Sequence, residues 1–305
     1  MVGRAMSEDM SGGGEGEHPY GVFLEGMGER TWSGAGAVWA AGGRFSLYAE
    51  PTAAGVDAGR GEMERLLEAS GRLVALAVVE RPTGREVATY WLRDRGYGMH
   101  SLQRQFRQQV VRAVESCEVR RLGWEELGAR SARIHEGLAR RGRDGMGLRE
   151  AARRERFWRA AAAVPGFEAW GVFSGGELVA YLTVLRWRGC AYGMHMHWGG
   201  MHAERRPTHL LYYETARAMM ADPRIDAFTT GRQTVPSCAE LDRFKRHAGF
   251  RVEMKPLAVV MHPRWRGLMR VLPVGWMGKG ARWWPVLGHG EVIAAAREIE
   301  RGGRF

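Results

Sequence analysis

The amino-acid sequence predicts a mixed α/β (α+β) protein with two successive domains, each built on a mixed central sheet flanked by helices. Three observations lead to this prediction. The 305-residue chain is longer than one ordinary hydrophobic core supports. Its composition, 45% hydrophobic and 26% charged, is typical of folded proteins. Strand-like and helix-like segments alternate along most of the chain.

The pattern divides the chain into four segments. They are a flexible tail (1–19), a reduced first domain (20–122), a second domain with the expected active site (123–263), and a Trp/Arg-rich extension with a final helix (264–305). The tail carries glycines and acidic residues without an apolar run, so it resembles neither a signal peptide nor a membrane anchor.

The first domain mixes strands and helices. "GAVWAAGGRFSLYAEP" predicts a hairpin that turns at Gly42-Gly43, and "RLVALAVVERPTGREVATYWLRD" predicts another that turns at Pro82-Thr83-Gly84. Between them, "GEMERLLEASG" predicts a short helix that ends at Gly71. A later helix, before the strand "CEVRRLGW", is predicted from apolar residues at helical spacing: Leu102, Phe106, Val110 and Val114.

The second domain is predicted to have the element order ααβββαβαβ. Two amphipathic helices come first, "WEELGARSARIHEGLARRG" and "LREAARRERFWRAAAAV". Three strands follow, joined by tight turns at Ser174-Gly175-Gly176 and Arg188-Gly189. The remaining elements are predicted from "THLLYYETARAMMAD", "IDAFTTG", "CAELDRFKRHAG" and "FRVEMKPLAVVMHP".

This order resembles the Gcn5-related N-acetyltransferase (GNAT) fold over residues 123–263. "TTGRQTVPSCAELDRFKRHAGF" resembles the FemAB-like branch, whose pattern is glycine-arginine, a short loop, and a helix ending in Phe-Lys-x-x-x-Gly. "SLQRQFRQQVVRAVESCEV", followed by "ARRGRDG", resembles the junction between the two tandem domains of that branch. The resemblance implies two tandem GNAT-type domains, the first one reduced, and an acyltransferase activity.

In the GNAT fold, the third strand and the following helix form the acyl-donor site, because the free N–H groups of a helix N-terminus attract phosphate. The resemblance therefore implies donor binding by Arg205, Arg206, Thr208, His209 and Leu210. Acetyl-CoA members carry a Gln/Arg-x-x-Gly-x-Gly/Ala loop there, whereas Thr208 and Leu210 replace the glycines in this sequence. The expected donor is acyl-CoA, such as acetyl-CoA, with aminoacyl-tRNA as the alternative; a solvated helix start without a ligand is the competing interpretation.

The stretch "MHMHW" places His195 and His197 on one face of a strand, about 6 to 7 Å apart. A histidine in a cleft can accept a proton near neutral pH, so both are candidate catalytic bases. The competing interpretation is a pair of hydrogen-bonded polar residues. No third ligand at suitable spacing is evident, so no metal is expected. No tyrosine follows Tyr213, although tyrosine is the usual acid of the acetyl-CoA members.

Lys245 is one of only three lysines in the chain, and it follows Phe244 in the FemAB-like motif. The resemblance implies that Phe244 packs inward and borders the substrate, and that Lys245 faces the cleft with Arg232, where the two cations hold an oxyanion or a phosphate. A solvated surface lysine is the alternative. We expect Lys245→Met to change stability by no more than about 0.5 kcal/mol and to lower turnover by about a hundredfold.

The net charge of +11 comes mostly from arginine, which favours an anionic or phosphate-bearing small-molecule substrate. No DNA-binding motif accompanies this charge, so specific DNA binding is not expected. Three widely spaced cysteines indicate a reducing compartment, and a cytoplasmic location is expected. Tryptophans interleaved with arginines in 264–305 also suit peripheral contact with the inner membrane face.

The sequence thus predicts an acyltransferase that moves an acyl or aminoacyl group from a thioester or aminoacyl donor to an amine or hydroxyl. Two alternatives remain open. One is an aminoacyl-tRNA-dependent peptide transferase of cell-wall synthesis. The other is a catalytically degenerate GNAT-fold protein that binds or acts as a scaffold, because the glycine loop and the usual tyrosine are absent.

Overall fold

One mixed sheet organises the part of the chain that the computed structural model describes, residues 18–41, 45–142, 146–234 and 238–266. The eleven strands of these residues are β1 (Thr31–Gly34), β2 (Ala37–Ala41), β3 (Ser46–Glu50), β4 (Val74–Val78), β5 (Glu86–Leu92), β6 (Cys117–Leu122), β7 (Phe167–Ser174), β8 (Glu177–Trp187), β9 (Cys190–Trp198), β10 (Ala227–Arg232) and β11 (Arg251–Met261). Their order in the sheet is β1-β2-β3-β4-β11-β5-β10-β9-β8-β7-β6.

Helices cover both faces of this sheet. They are α1 (Pro19–Gly26), α2 (Arg60–Ser70), α3 (Arg104–Val114), α4 (Trp124–Arg130), α5 (Ala132–Arg140), α6 (Ala151–Ala162), α7 (Pro207–Ala221) and α8 (Ala239–His247), with short 3-10 turns at Met99–Ser101 and Ala203–Arg205. One core cluster joins α3 and α7 to the sheet, and another joins α1, α4, α5 and α6 to strands β7, β8 and β9. A third lies between α2 and strands β2, β3, β4 and β11.

The two halves of the chain share strands. β5, from the first half, lies between β10 and β11 of the second, and β11 in turn lies between β4 and β5. Most neighbours are antiparallel, whereas β3 with β4 and β9 with β10 are parallel. The predicted fold class, an α/β protein with a mixed sheet flanked by helices, is confirmed, and the sheet continues across the predicted boundary at residue 122.

Several predicted elements of the first half are confirmed. β2 and β3 form the first hairpin, and α2 ends at Gly71 in the left-handed conformation that glycine favours. α3 buries Phe106 and Val110 as expected, although Val114 is exposed. The second predicted hairpin is wrong, because β4 and β5 do not pair with each other. β11 separates them, pairing Leu257 with Val78 on one side and Pro256 with Glu86 on the other.

The second half follows the predicted order with one difference. The first predicted helix divides at Ser131 into α4 and α5. α5 then approaches the end of β9 so closely that a Cβ at Gly137 would lie 2.3 Å from the Gly199 carbonyl oxygen. Strands β7, β8 and β9 form the predicted antiparallel hairpins, with Gly175, Gly176 and Gly189 at positive φ in the turns.

Helix α1 was not predicted, because the sequence from Tyr20 onward indicated strands. Pro19 occupies the first helical turn, and His18 Nδ1 accepts a hydrogen bond from the Tyr20 N–H as a cap. α1 packs between β2 and α6: a Cβ at Gly21 would lie 3.0 Å from Val38, and one at Gly26 would lie 2.8 Å from the Ala160 Cβ. The first-half helix therefore binds to the second half of the chain.

Two predicted segments lie largely outside the described residues. These are the flexible tail up to residue 17 and the extension from residue 267 onward. Among the residues that the structure describes, no helix has both the length and the apolar character needed to cross a bilayer.

Candidate functional site

The candidate site is a cleft where two parallel strands diverge. β9 and β10 pair from Cys190 to Tyr192 and from Ala227 to Thr229, and the ladder ends there. Both strands are irregular beside this point: the β8–β9 register shifts between Thr183 and Val184, and the β10–β5 register shifts after Thr229. Backbone that leaves a sheet ladder exposes a groove between the strands, where a ligand can enter.

The cleft has a volume of about 180 Å³ and draws its walls from four parts of the chain. β9 contributes Tyr192 to His195, and β10 contributes Thr230 to Arg232. The opposite walls come from the first half, as Tyr20 of α1 and the residues from Glu50 to Ala53 at the end of β3. Residues from both halves are therefore needed to form it.

Glu50 and Arg232 place opposite charges in this cleft. Burial raises the pKa of Glu50 to about 7, although the Arg232 guanidinium and a hydrogen bond from the Thr52 N–H favour the carboxylate. Burial also lowers the pKa of Arg232, against the attraction of Glu50, and its guanidinium lies 5.3 Å from the centre of the Tyr48 ring. The cleft thus holds a carboxyl group that exchanges its proton near neutral pH beside a lasting cation.

Tyr20 and His195 meet on another wall. A hydrogen bond joins Tyr20 Oη to His195 Nε2 at 3.3 Å. Burial, and then the charge of Glu50, raises the pKa of Tyr20 well above its usual value, while burial lowers the pKa of His195 to about 4. Both side chains are therefore neutral at pH 7. They supply a hydrogen-bonding pair rather than a charge.

His197 is not among the residues that line the cleft. Its ring centre is 4.9 Å from that of Tyr181 and 5.1 Å from that of His135, and Tyr181 Oη is hydrogen-bonded to His135 Nε2 at 2.9 Å. Burial lowers the pKa of His197 well below its usual value, and the neighbouring His195 and His135 add to this effect. His197 therefore belongs to a buried aromatic cluster behind the cleft wall.

Lys245 lies beneath the β10 wall with only 4% of its surface exposed. Its ammonium donates to the Thr230 carbonyl at 2.9 Å and lies 4.5 Å from the centre of the Tyr90 ring. Burial lowers the pKa of Lys245 to about 8, although the Asp242 carboxylate opposes this. The alternative of a solvated surface lysine is wrong, because this side chain is buried and holds the irregular segment of β10 from behind. Lys245 is not among the residues that line the cleft, so its expected role at the substrate stays a prediction.

Phe244 packs inward, as the resemblance implied. Its ring contacts those of Phe106, His209 and Tyr212 at centre distances of about 5 Å. This cluster joins α8 to α3 and α7. Phe244 is not among the residues that line the cleft, so its expected substrate contact stays a prediction.

The five predicted donor-binding residues stand at the start of α7, away from the cleft walls. Arg205 donates to Ser174 Oγ at 2.6 Å, and Arg206 is at positive φ with its carbonyl accepting the His209 N–H. Leu210 is buried in the core, and Thr208 is partly exposed. Pro207, which lies between Arg206 and Thr208, has no backbone N–H. One N–H group of this helix start, that of His209, is therefore already bonded within the fold, and Pro207 supplies none.

No metal cluster accompanies these side chains: across the described ranges, no three His, Cys, Asp or Glu residues are grouped as metal ligands would be.

Comparison with known proteins identifies the architecture. No protein-family profile matches the sequence, and no curated protein matches it either. Solved structures do match. The structure of FemX is similar at 10% sequence identity and a TM-score of 0.55, and the matched region covers 83% of this chain and 93% of the FemX chain. The C-terminal domain of a proposed lysylphosphatidylglycerol synthetase from Agrobacterium fabrum, at 12% identity and a TM-score of 0.53, covers 83% of this chain and 90% of its own.

A protein of unknown function from Bacteroides thetaiotaomicron is similar at 11% identity and a TM-score of 0.52, covering 78% of this chain and 88% of its own. This chain has the tandem GNAT-like fold of FemX. The resemblance seen in the sequence is thus confirmed at the level of the fold. In the chain, α7 connects the two strands that diverge, following β9 and preceding β10.

Within the tandem GNAT-like fold, the structure unites some predicted residues and adds others. His195 and Arg232 share the cleft, and Lys245 supports its wall. Sequence reasoning missed Glu50 and Tyr20, which come from the first half. The one local signal for Glu50 was a carboxylate at the end of an apolar strand, directly before a proline.

Proposed function

We propose that this chain transfers an acyl or aminoacyl group from an activated donor to an amine or hydroxyl acceptor in the cleft between β9 and β10. The observation that carries the proposal is that Glu50 and Arg232, which attract each other, line one cleft where two parallel strands diverge. The fold supports it, because one solved protein with a similar fold is named as a lysylphosphatidylglycerol synthetase domain.

Glu50 is the general base in this proposal. A base works best when its pKa lies near the working pH, and the pKa of Glu50 is about 7. His195 and His197 were the bases expected from the sequence, but burial lowers the pKa of His195 to about 4 and that of His197 well below its usual value, which makes both weak proton acceptors. We assign His195 instead to holding the Tyr20 hydroxyl, with which it shares a hydrogen bond.

Arg232 stabilises the negative charge that develops on the donor carbonyl oxygen during attack. It keeps its charge throughout, because arginine does not lose its proton in proteins. Lys245 acts through Arg232 rather than on the substrate: by binding the Thr230 carbonyl, it fixes the segment that carries Gly231 and Arg232. Lys245 is therefore a positioning residue in this proposal.

The transfer needs no covalent enzyme intermediate. The acceptor N–H or O–H passes its proton to Glu50 while its nitrogen or oxygen bonds to the donor carbonyl carbon. The C–S or C–O bond of the donor then breaks, and Glu50 returns the proton to the departing sulfur or oxygen. One carboxyl group thus serves both proton transfers, and the enzyme ends in its starting state.

Two donors are candidates, and the start of α7 separates them. An acyl-CoA pyrophosphate would need free N–H groups there, but Pro207 has none and the His209 N–H is already bonded. This favours an aminoacyl ester, the donor type implied by a lysylphosphatidylglycerol synthetase. Titration calorimetry with acetyl-CoA, on the native chain and on Arg205→Ala with Arg206→Ala, tests the point. If acetyl-CoA binds tightly and these substitutions weaken its binding, acyl-CoA becomes the favoured donor.

The activity itself is tested by donor discharge. The purified full chain is offered acyl-CoAs and aminoacyl-tRNAs together with pooled amines, hydroxyl compounds and phospholipids, and release of CoA or of uncharged tRNA is followed. We expect Glu50→Gln to lower turnover by about a hundredfold to ten-thousandfold, because the base is lost while the shape is kept. Glu68→Gln is the matched control, since Glu68 is exposed on α2.

Two outcomes of this assay would contradict the proposal. Near-normal turnover in Glu50→Gln removes Glu50 as the base. If the native chain binds a donor but discharges none with any acceptor, the non-catalytic alternative replaces the enzyme. An intact thermal midpoint in Glu50→Gln is required, so that loss of turnover is not loss of folding.

A further inference from the structure

The strand at one end of the sheet, β6, has an open outer edge. β6 pairs with β7 over all six of its residues, from Cys117 to Leu122, without a register shift. Within the described ranges, no backbone hydrogen bond reaches Glu118 to Leu122 from any element other than β7. At the opposite end of the sheet, β1 is only four residues long. β6 therefore presents a regular row of N–H and C=O groups that another strand can join.

Charge is the one feature that protects this edge from indiscriminate pairing, because β6 contains neither a proline nor a bulge. Arg120 donates to both carboxylate oxygens of Glu126, at 2.9 and 2.5 Å, and Arg121 is paired with Glu168 at 2.8 Å. Glu118 is exposed and forms no salt bridge with another described residue. Since the edge carries both signs of charge, it selects a strand whose charges match its own.

Two exposed valines of α3 lie next to the edge. Val111 and Val114 are 49% and 56% exposed. Val114 lines one groove together with Glu118 and Arg120, and Val111 lies one helical turn before it on the same side of α3. Aliphatic side chains that remain in water beside an open strand edge favour coverage by another protein surface.

A second copy of the chain matches this edge in one register. Two identical strands pair antiparallel about a two-fold axis perpendicular to the sheet, so opposed side chains share a face and the central residue meets its own copy. A centre at Glu118, Arg120 or Arg121 would oppose two like charges, which is unfavourable. A centre at Val119 instead opposes two valines, and it places each Glu118 opposite Arg120 of the other copy. β6 is therefore complementary to itself.

We propose that this chain forms a two-fold symmetric dimer in which β6 pairs antiparallel with β6 of a second copy, centred on Val119. Val119 packs against the core cluster that contains α3, so Val111 and Val114 lie on the same face of the sheet as the Val119 pair. β7 and β8 separate this edge from the cleft between β9 and β10. The dimer leaves the cleft open and does not depend on the proposed acyl transfer.

The test measures the mass of the full chain by light scattering after size exclusion, over a series of concentrations. We expect a dimer that dissociates on dilution. Glu118→Arg and Arg120→Glu, made separately, each oppose like charges at both cross-strand pairs and should raise the dimer Kd by about tenfold or more. An equimolar mixture of the two variants should recover dimerisation, because every opposed pair in the mixed dimer again carries opposite charges.

Two further proteins complete the test. Glu115→Arg makes the same change of charge in the same groove but precedes β6, so this control should dimerise like the native chain. Val119→Cys should form a disulfide-linked dimer under mild oxidation, above the level of the native chain, because opposed Cβ atoms lie about 5 Å apart. Glu68→Cys, at an exposed position of α2, should not. The cross-link tests the register without the charge variants.

Four results would overturn the proposal. The native chain could be a monomer at every concentration, in which case the edge is left open or covered by something else. Both charge variants could dimerise like the native chain, which would place the interface on another surface. The mixture could fail to recover dimerisation, which would contradict the Val119-centred register. Val119→Cys could cross-link no better than Glu68→Cys. Circular dichroism and thermal midpoints first establish that each variant is folded.

Discussion

At the level of single residues, the electrostatics of the cleft lead to a prediction about pH. Glu50 acts as a base only without its proton, so kcat/KM should rise with pH through about 7. The Arg232 charge favours the carboxylate, and Arg232→Gln should therefore move this rise to higher pH while also lowering turnover. A pH–rate profile of both proteins checks this. A rise that stays in place, or moves to lower pH, would contradict the electrostatic coupling.

Lys245 gives a second prediction at this scale, because it is buried rather than exposed. Lys245→Met removes the donor to Thr230 and a buried cation that the Asp242 carboxylate attracts. We expect a loss of about 1 to 3 kcal/mol in the free energy of unfolding, more than the sequence suggested. Lys255→Met, at a side chain 40% exposed, should change it by no more than about 0.5 kcal/mol.

The pH dependence of stability distinguishes this residue further. The pKa of Lys245 is about 8 in the folded chain and 10.5 without the fold. Between those values the unfolded chain still binds the proton that the folded chain has released, so the native protein gains stability as pH rises. Lys245→Met should lack this gain. Urea denaturation at pH values on either side of 8 measures it, and identical pH slopes in both proteins would contradict the burial of the charge.

Single residues also show what the sequence could not reveal about the site. Arg232 and Lys245 were found because they stand in one local motif, glycine-arginine followed by a helix ending in Phe-Lys. Tyr20 and His195 are 175 positions apart, and nothing near either residue indicates the other. Glu50 becomes unusual only through its burial in the folded chain. Side chains that are brought together across the chain leave no local pattern.

At the level of elements, the confirmed predictions rest on local rules. Gly71 ends α2, and the glycine turns close the hairpins of β7, β8 and β9, because each turn needs a positive φ that glycine adopts freely. The wrong hairpin had the same local support. It failed because β11, about 170 residues later, pairs with β4 and β5 and enters between them. Tertiary pairing overrode the local turn signal.

Helix α1 supplies the prediction at this scale. A Cβ at Gly26 would lie 2.8 Å from the Ala160 Cβ, and neither atom can rotate away. Gly26→Ala should therefore lower the free energy of unfolding by about 1 to 3 kcal/mol, although alanine favours helices. Gly61→Ala in α2 is the matched control: nothing lies within 4 Å, so it should stabilise by up to about 1 kcal/mol. Equal stabilities of the two variants would show that α1 and α6 do not pack this closely.

At the level of the whole molecule, the shared strands govern how the halves behave. β5 pairs with both β10 and β11, so a strand of the first half completes the sheet of the second. Helix α1 of the first half also packs against the second half, and it places Tyr20 beside His195 in the cleft. The predicted boundary between 20–122 and 123–263 therefore separates two sequence units that depend on each other for their hydrogen bonds.

This dependence predicts that cutting the chain at the boundary will not release two folded domains. A protease site placed between Leu122 and Gly123, where Gly123 is exposed, allows comparison of the same protein before and after cleavage. The pieces should co-elute after cleavage and unfold together in one transition, because parting would strip β11 of the hydrogen bonds to β4 and β5. The uncut chain, with a thermal midpoint equal to that of the native chain, is the control. Two separately eluting pieces, each with its own cooperative transition, would mean that the halves are autonomous and that the cleft, with Glu50 on one side and Arg232 on the other, forms only by docking.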